Sequence, residues 1–179
     1  MDSPGAFAAH RQTLTLALNL VLFSGIAFLW FMGVVRDRFG EQEDKLFATV
    51  FFGSGLLFLA MMFASAAVTG SLLLSASETG LPVSDYYDLG RLLAQQLLVN
   101  YAIRMGGVFM ISTCSLFLRT GVLPRWVSFW GYGLALVMLF RVGHINRLGW
   151  VALFLPLWIL LVSLYVLIEN YLHQAKANR

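Results

Sequence analysis

The amino-acid sequence predicts an all-α fold, a polytopic transmembrane helix bundle of about five helices with short loops. Hydrophobic residues make up 59% of the 179 residues and charged residues only 12%, whereas an ordinary soluble domain carries roughly 25% charged residues. The hydrophobic residues form long blocks, and the charges lie in the gaps between them. No block alternates apolar and polar residues as the strands of a membrane barrel do. This pattern is typical of a chain whose solvent is the bilayer.

The apolar blocks predict membrane-spanning helices within a single integral membrane domain, 1–179. A helix needs about 20 residues to cross about 30 Å of hydrocarbon, and the first, third and fifth blocks match that length. The second block is longer, so its helix should tilt or project from the bilayer. The fourth is shorter, so its ends should lie near the interface. The first block is expected to be a retained helix, because it is longer than a signal-peptide core and no small-residue cleavage site follows it. The predicted spans are 13–35, 46–75, 97–118, 126–142 and 148–168.

Two gaps carry specific structural information. Residues 119–125 read RTGVLPR, in which Gly121 can adopt a positive φ and Pro124 can open the next helix. This short gap predicts a tight antiparallel hairpin of the third and fourth helices. The longest gap, 76–96, ends in leucines at helical spacing, which predicts an amphipathic turn or two leading into the third helix.

The basic residues of the loops predict the orientation of the chain. One set of loops carries seven Lys and Arg residues and the other set carries four. Because cytoplasmic loops are enriched in Lys and Arg, the C-terminus should be cytoplasmic and the N-terminus outside. The larger set is Arg36, Arg38, Lys45, Arg119, Arg125, Lys176 and Arg179, and the smaller set is Arg11, Arg91, Arg141 and Arg147.

The third block contains a candidate ligand-binding stripe of polar residues. Gln96, Asn100 and Arg104 are four residues apart on a predicted helix, and Ser112 prolongs the row. An arginine inside a span costs at least a few kcal/mol, so it usually faces other helices or water. We therefore expect Arg104 to face the protein interior or a polar crevice, where it would hold an anionic group such as a lipid phosphate. The alternative is a snorkelling arginine with structural hydrogen bonds between helices.

Small and polar residues elsewhere in the blocks predict helix packing. Asn19 is the other deep polar side chain, and we expect it to bond to a neighbouring helix or to the stripe. Gly106 and Gly107 should allow close approach of a neighbouring helix. The second block has a row of small residues for the same purpose, Ala60, Ala64, Ala67 and Ser71.

Several classes of function lack the residues that they need. The chain has no metalloprotease, hydrolase, nucleotide-binding or dinucleotide-binding motif, so no catalytic residue is predicted. All three histidines, His10, His144 and His173, lie outside the predicted spans, so we expect no haem, no metal site and no other cofactor. The basic residues lie at the ends of apolar blocks and form no basic face, which argues against a nucleic-acid partner.

Two stretches of the sequence resemble a known family. The hairpin carries Arg119, Gly121, Pro124, Arg125, Trp126 and Gly131, and the first loop carries Arg36, Asp37, Arg38 and Gly40. In these residues, over roughly a third of the chain, the sequence resembles a family of bacterial multi-pass membrane proteins that contain a domain of unknown function. The resemblance implies a helix bundle in the bacterial inner (plasma) membrane. It implies no catalytic residue.

The sequence thus favours a non-enzymatic integral membrane protein that binds membrane lipids, partner membrane subunits or further copies of itself through its helix faces. The alternative is a small transporter or channel-like protein that uses the polar stripe around Arg104 as its path. A membrane-embedded enzyme acting on lipid is the least favoured hypothesis, because no acid, base or metal cluster occurs at one depth.

Overall fold

The computed structural model describes residues 11–39, 45–78, 84–121, 124–140 and 151–177. Over these residues the chain is helical apart from single residues at helix ends, and it contains no strand. The helices are α1 Arg11–Phe39, α2 Lys45–Glu78, α3 Ser84–Gln96, the π segment Leu97–Ala102, α4 Ile103–Thr120, α5 Arg125–Leu139 and α6 Val151–Ala177. Since α3, the π segment and α4 continue without a break, the described chain forms five helical rods. The predicted all-α fold is confirmed.

Three of the rods are long and apolar enough to cross a membrane, over Gln12–Asp37, Leu46–Ser75 and Tyr87–Thr120. α5 has 15 residues, which gives a length of about 22 Å and agrees with the predicted short fourth helix. The apolar stretch that the structure describes in α6, Leu153–Ile168, is also shorter than a full span. That α5 and α6 cross the membrane as well stays a prediction.

α4 is the central helix of the bundle. Its buried residues cover more than half of the helix circumference, because α4 packs against α2, α5 and α6 and keeps one side exposed. Phe109 is 0% exposed. Its ring centroid lies 4.9 Å from that of Phe51 on α2 and 5.0 Å from that of Phe28 on α1. Such aromatic pairs add about 0.5–1.5 kcal/mol each beyond the area that they bury, so this cluster ties three helices together.

Glycines bring α4, α5 and α6 into close contact. A Cβ atom added to Gly107 would lie 3.1 Å from the carbonyl oxygen of Ala135 on α5. A Cβ atom added to Gly131 would lie 2.4 Å from Sγ of Cys114 and 3.0 Å from Nε1 of Trp158. Membrane helices use small residues in this way because close backbone approach increases van der Waals contact. The predicted packing role of Gly107 is confirmed.

The predicted hairpin of α4 and α5 is also confirmed. Gly121 has φ +69° and ends α4, where its N–H donates to the carbonyl oxygen of Phe117 at 2.9 Å. Pro124 occupies the N-cap of α5. The Ser115 Oγ and Tyr132 Oη atoms lie 2.6 Å apart in a hydrogen bond that joins the two helices.

α2 packs against α3 through a face that no sequence pattern predicted. Ser65 is buried, and its Oγ donates to the carbonyl oxygen of Ala94 at 2.8 Å. The predicted small-residue row was wrong as a packing face, because Ala60, Ala67 and Ser71 are exposed. Small size permits close contact but does not say which side of a helix has a neighbour.

Candidate functional site

The predicted polar stripe does not form one surface. Asn100 is half-buried and donates from its side-chain amide to Oε1 of Gln96, which is exposed. Arg104 is exposed, so the expectation that it faces the protein interior was wrong. Ser112 is only 2% exposed and donates to backbone carbonyl oxygens of its own helix, those of Val108 and Phe109, at 3.1 and 2.9 Å. The structure brings Gln96 and Asn100 together and separates Ser112 from Arg104.

Helix geometry explains why the stripe divides. Each residue of an α-helix turns about 100°, so a row of every fourth residue drifts by about 40° per step. Between Arg104 and Ser112 the drift is about 80°, enough to move Ser112 from the exposed side of α4 to the core. Between Gln96 and Arg104 the π segment intervenes, and its i→i+5 bonding takes more residues per turn. The drift is therefore smaller there.

The depth of Arg104 fits the alternative hypothesis of a snorkelling arginine. Counting about 20 residues back from Arg119 reaches Val99, so Arg104 lies only about 7 Å inside the far edge of such a span. A long side chain at that depth can carry its guanidinium to the interface while its stem stays among apolar groups. Asn19 on α1 is likewise exposed.

A groove between α2 and α3, the α2–α3 groove, combines polar and apolar side chains. Its volume is about 250 Å³. From α2 it is lined by Ser65, Thr69 and Leu72, and from α3 and the π segment by Tyr87, Arg91, Gln95, Ala94, Leu98 and Val99. Arg91 was predicted only as one of the basic residues of the loops. The signal that could have revealed the groove is the four-residue spacing of Tyr87, Arg91 and Gln95, which puts all three on one face of α3.

A second cavity, the α1–α6 crevice, is lined mainly by apolar side chains. Its volume is about 260 Å³. Phe117 of α4 is buried at this cavity, and α1 and α6 contribute the other lining residues. These are Phe31, Val34 and Val35 from α1, and Ser163, Val166 and Leu167 from α6.

The described residues contain no group of three or more His, Cys, Asp or Glu side chains that could hold a metal ion. His10 and His144 lie outside the described residues, as does the side chain of His173. Cys114 is buried. Among the described side chains, two buried polar atoms have no hydrogen-bond partner, Oγ of Ser128 and Nε1 of Trp158.

Comparisons with protein-family models, with curated proteins and with solved structures find no match to this chain. The resemblance to the bacterial membrane family therefore rests on the hairpin and first-loop residues and stays a prediction.

Proposed function

We propose that this chain is a non-enzymatic integral membrane protein that binds membrane phospholipid, or partner membrane subunits, through its exposed helix faces. The observation that carries the proposal is the α1–α6 crevice. Among its lining residues only Ser163 is polar. An open crevice with this lining suits an apolar group, and a lipid acyl chain or an apolar side chain of a partner helix is the matching occupant.

The arrangement of α1 and α6 supports lateral entry into the crevice. α1 makes its closest backbone approaches to α2, and α6 makes its own to α4 and α5. The two helices therefore form opposite walls above the buried ring of Phe117. Val34 and Leu167 are exposed on these walls, 53% and 64% respectively, so the crevice is continuous with the apolar outer surface.

The exposed faces of α1 and α6 are apolar well beyond the crevice. Contiguous apolar patches larger than a few hundred Å² mark membrane or protein contacts. Examples of large exposed side chains are Phe23 and Trp30 on α1 and Leu157 and Leu160 on α6. An apolar surface of this extent favours contacts with lipids and with other membrane helices.

The transport alternative has less support from the geometry. Arg104 and Gln96 are exposed and Ser112 is buried against its own helix, so these residues do not line a path through one chain. A path along Arg104 would need a second copy of the chain to enclose it.

The proposed location is the bacterial inner membrane, with the N-terminus outside and the C-terminus cytoplasmic. The location rests on the family resemblance, and the orientation rests on the distribution of basic residues between the loops. A reporter that is active only in the cytoplasm, fused after Arg179, should be active. Activity of a periplasm-only reporter at the same position would reverse the orientation.

The function itself is tested by filling the crevice. Ser163→Trp places a large ring in the crevice, and Leu164→Trp is a matched control, since Leu164 is exposed on the same helix but does not line the cavity. Native mass spectrometry of the purified proteins should show less bound phospholipid for Ser163→Trp than for Leu164→Trp. Loss of a copurifying chain instead of lipid would favour partner subunits. Equal lipid and equal partner content in both variants would contradict the proposal.

A further inference from the structure

We propose that the α2–α3 groove is a second, independent ligand site that binds an anionic phospholipid. Its phosphate would lie at Arg91 and Gln95, and an acyl chain would pass Leu98. Binding at this groove requires no occupant in the α1–α6 crevice, which lies between different helices.

The groove has fixed walls, because α2 and α3 are held together on both sides of it. Near one end the buried hydroxyl of Ser65 donates to the carbonyl oxygen of Ala94 at 2.8 Å. Near the other end α3 approaches the side chain of Leu72 so closely that a Cβ atom added to Gly90 would lie 2.8 Å from Cδ2 of that leucine. Two fixed points on the same pair of helices define a preformed site, and preformed sites bind at lower entropic cost.

The polar side chains of the groove suit a phosphate group. Arg91 is exposed at the groove, and a guanidinium can donate two parallel hydrogen bonds to phosphate oxygens. The amide of Gln95, one turn further along α3, can donate as well. No hydrogen bond or ion pair joins Arg91 to another residue in the described part of the chain. Asp88 is exposed one turn before Arg91 but does not line the groove, so the lining carries a positive charge.

The depth of the groove matches the headgroup region. Ser65, Thr69 and Leu72 belong to the last third of the apolar stretch Leu46–Ser75 of α2. Because about 20 residues of helix cross the hydrocarbon, this stretch is longer than the crossing, and its last third lies towards the headgroup region.

The α3 wall of the groove changes in polarity along its length, as a phospholipid does from headgroup to acyl chain. Leu98 follows Arg91 by seven residues, or about 10 Å of helix towards the hydrocarbon. The wall formed by α3 and the π segment thus changes from Arg91 at the headgroup level to Leu98 nearer the membrane centre, which is the order of groups along a phospholipid.

The π segment lies at the apolar end of this groove. π-helical turns are rare and recur at functional sites. Here the segment Leu97–Ala102 supplies Leu98 and Val99 to the lining. The wider turn of the π segment changes which residues of the rod face α2. The irregular backbone therefore lies where the cavity forms.

The test compares two exposed arginines of one helical rod. Detergent-solubilised protein is titrated with phosphatidylglycerol, or with phosphatidylcholine of the same acyl chains, and bound lipid is counted by native mass spectrometry. Arg91→Gln removes a charged hydrogen bond, so it should weaken phosphatidylglycerol binding about tenfold, and Arg91→Lys should weaken it less. Arg104→Gln is the control, because Arg104 is exposed but outside the groove. Its affinity for phosphatidylglycerol should equal that of the unmodified protein.

The results of this titration distinguish specific lipid binding at the α2–α3 groove from binding elsewhere on the protein. Equal losses in Arg91→Gln and Arg104→Gln would mean a general attraction to basic residues and would overturn the proposal. Retained affinity in Arg91→Gln would also overturn it. Competition by free glycerol phosphate at concentrations equal to the lipid would identify a soluble phosphate ligand and overturn the assignment to lipid. Ser163→Trp should keep full preference for phosphatidylglycerol, so failure of the crevice proposal and failure of this one give different results.

Discussion

Replacement of Gly131 by alanine tests the packing of α4, α5 and α6 most directly. The added Cβ atom would lie 2.4 Å from Sγ of Cys114 and 3.0 Å from Nε1 of Trp158. Both neighbours are buried, so neither can move into open space. Overpacking of a buried contact costs about 1–3 kcal/mol, whereas Gly→Ala in a helix gains about 1 kcal/mol from backbone entropy. The net change in unfolding free energy should therefore range from about zero to a loss of about 2 kcal/mol.

The matched control is Gly133→Ala, because a Cβ atom added to Gly133 meets no atom within 4 Å. The two variants share the helix and the gain in propensity, so their difference isolates the overpacking cost, about 1–3 kcal/mol. Unfolding in mixed micelles with increasing sodium dodecyl sulfate measures it. Adding Cys114→Ala removes the closer of the two contact atoms, so the double variant should be more stable than the sum of the single changes indicates. Equal stability of Gly131→Ala and Gly133→Ala would refute the packing of these three helices.

Three further predictions concern the hairpin, the core and the arginine of the predicted stripe. Gly121→Ala should lower the unfolding free energy by about 1 kcal/mol, because φ is +69° at this position and a residue with a side chain is strained in the left-handed region. An unchanged unfolding midpoint in the same micelle assay would contradict the left-handed cap. Phe109→Ala should lower the unfolding free energy by about 3 kcal/mol, the low end for a buried phenylalanine, because micelles also keep the ring of the unfolded chain out of water. Phe129→Ala, at a position 64% exposed, should lower it far less. Arg104→Leu should change the unfolding free energy by no more than about 0.5 kcal/mol, because the side chain is exposed. A loss of several kcal/mol would mean that Arg104 is buried in the membrane-bound protein.

The sequence by itself determined the features that depend on composition and on local chain geometry. Apolar blocks of membrane length predict helices, because the bilayer core holds no water that could bond to the backbone N–H and C=O groups. In the structure, α1 and α2 begin and end within a few residues of the predicted spans. Gly121 and Pro124 predicted the turn of the hairpin because each residue restricts or permits backbone angles regardless of its surroundings. These inferences needed no knowledge of which helices are neighbours.

Only the tertiary structure decided which side of each helix is buried. In a soluble protein the polar residues mark the outer face, but lipid tails are as apolar as a protein core, so hydrophobicity does not distinguish the two faces of a membrane helix. For this reason Arg104 was predicted to face the protein interior or a polar crevice and is exposed. Ser65 was not predicted to have a packing role and is buried between α2 and α3. The π segment adds a change of helical register that a four-residue spacing cannot reveal. The groove at Arg91 exists because α2 and α3 meet there, which is a property of two helices and not of either sequence alone.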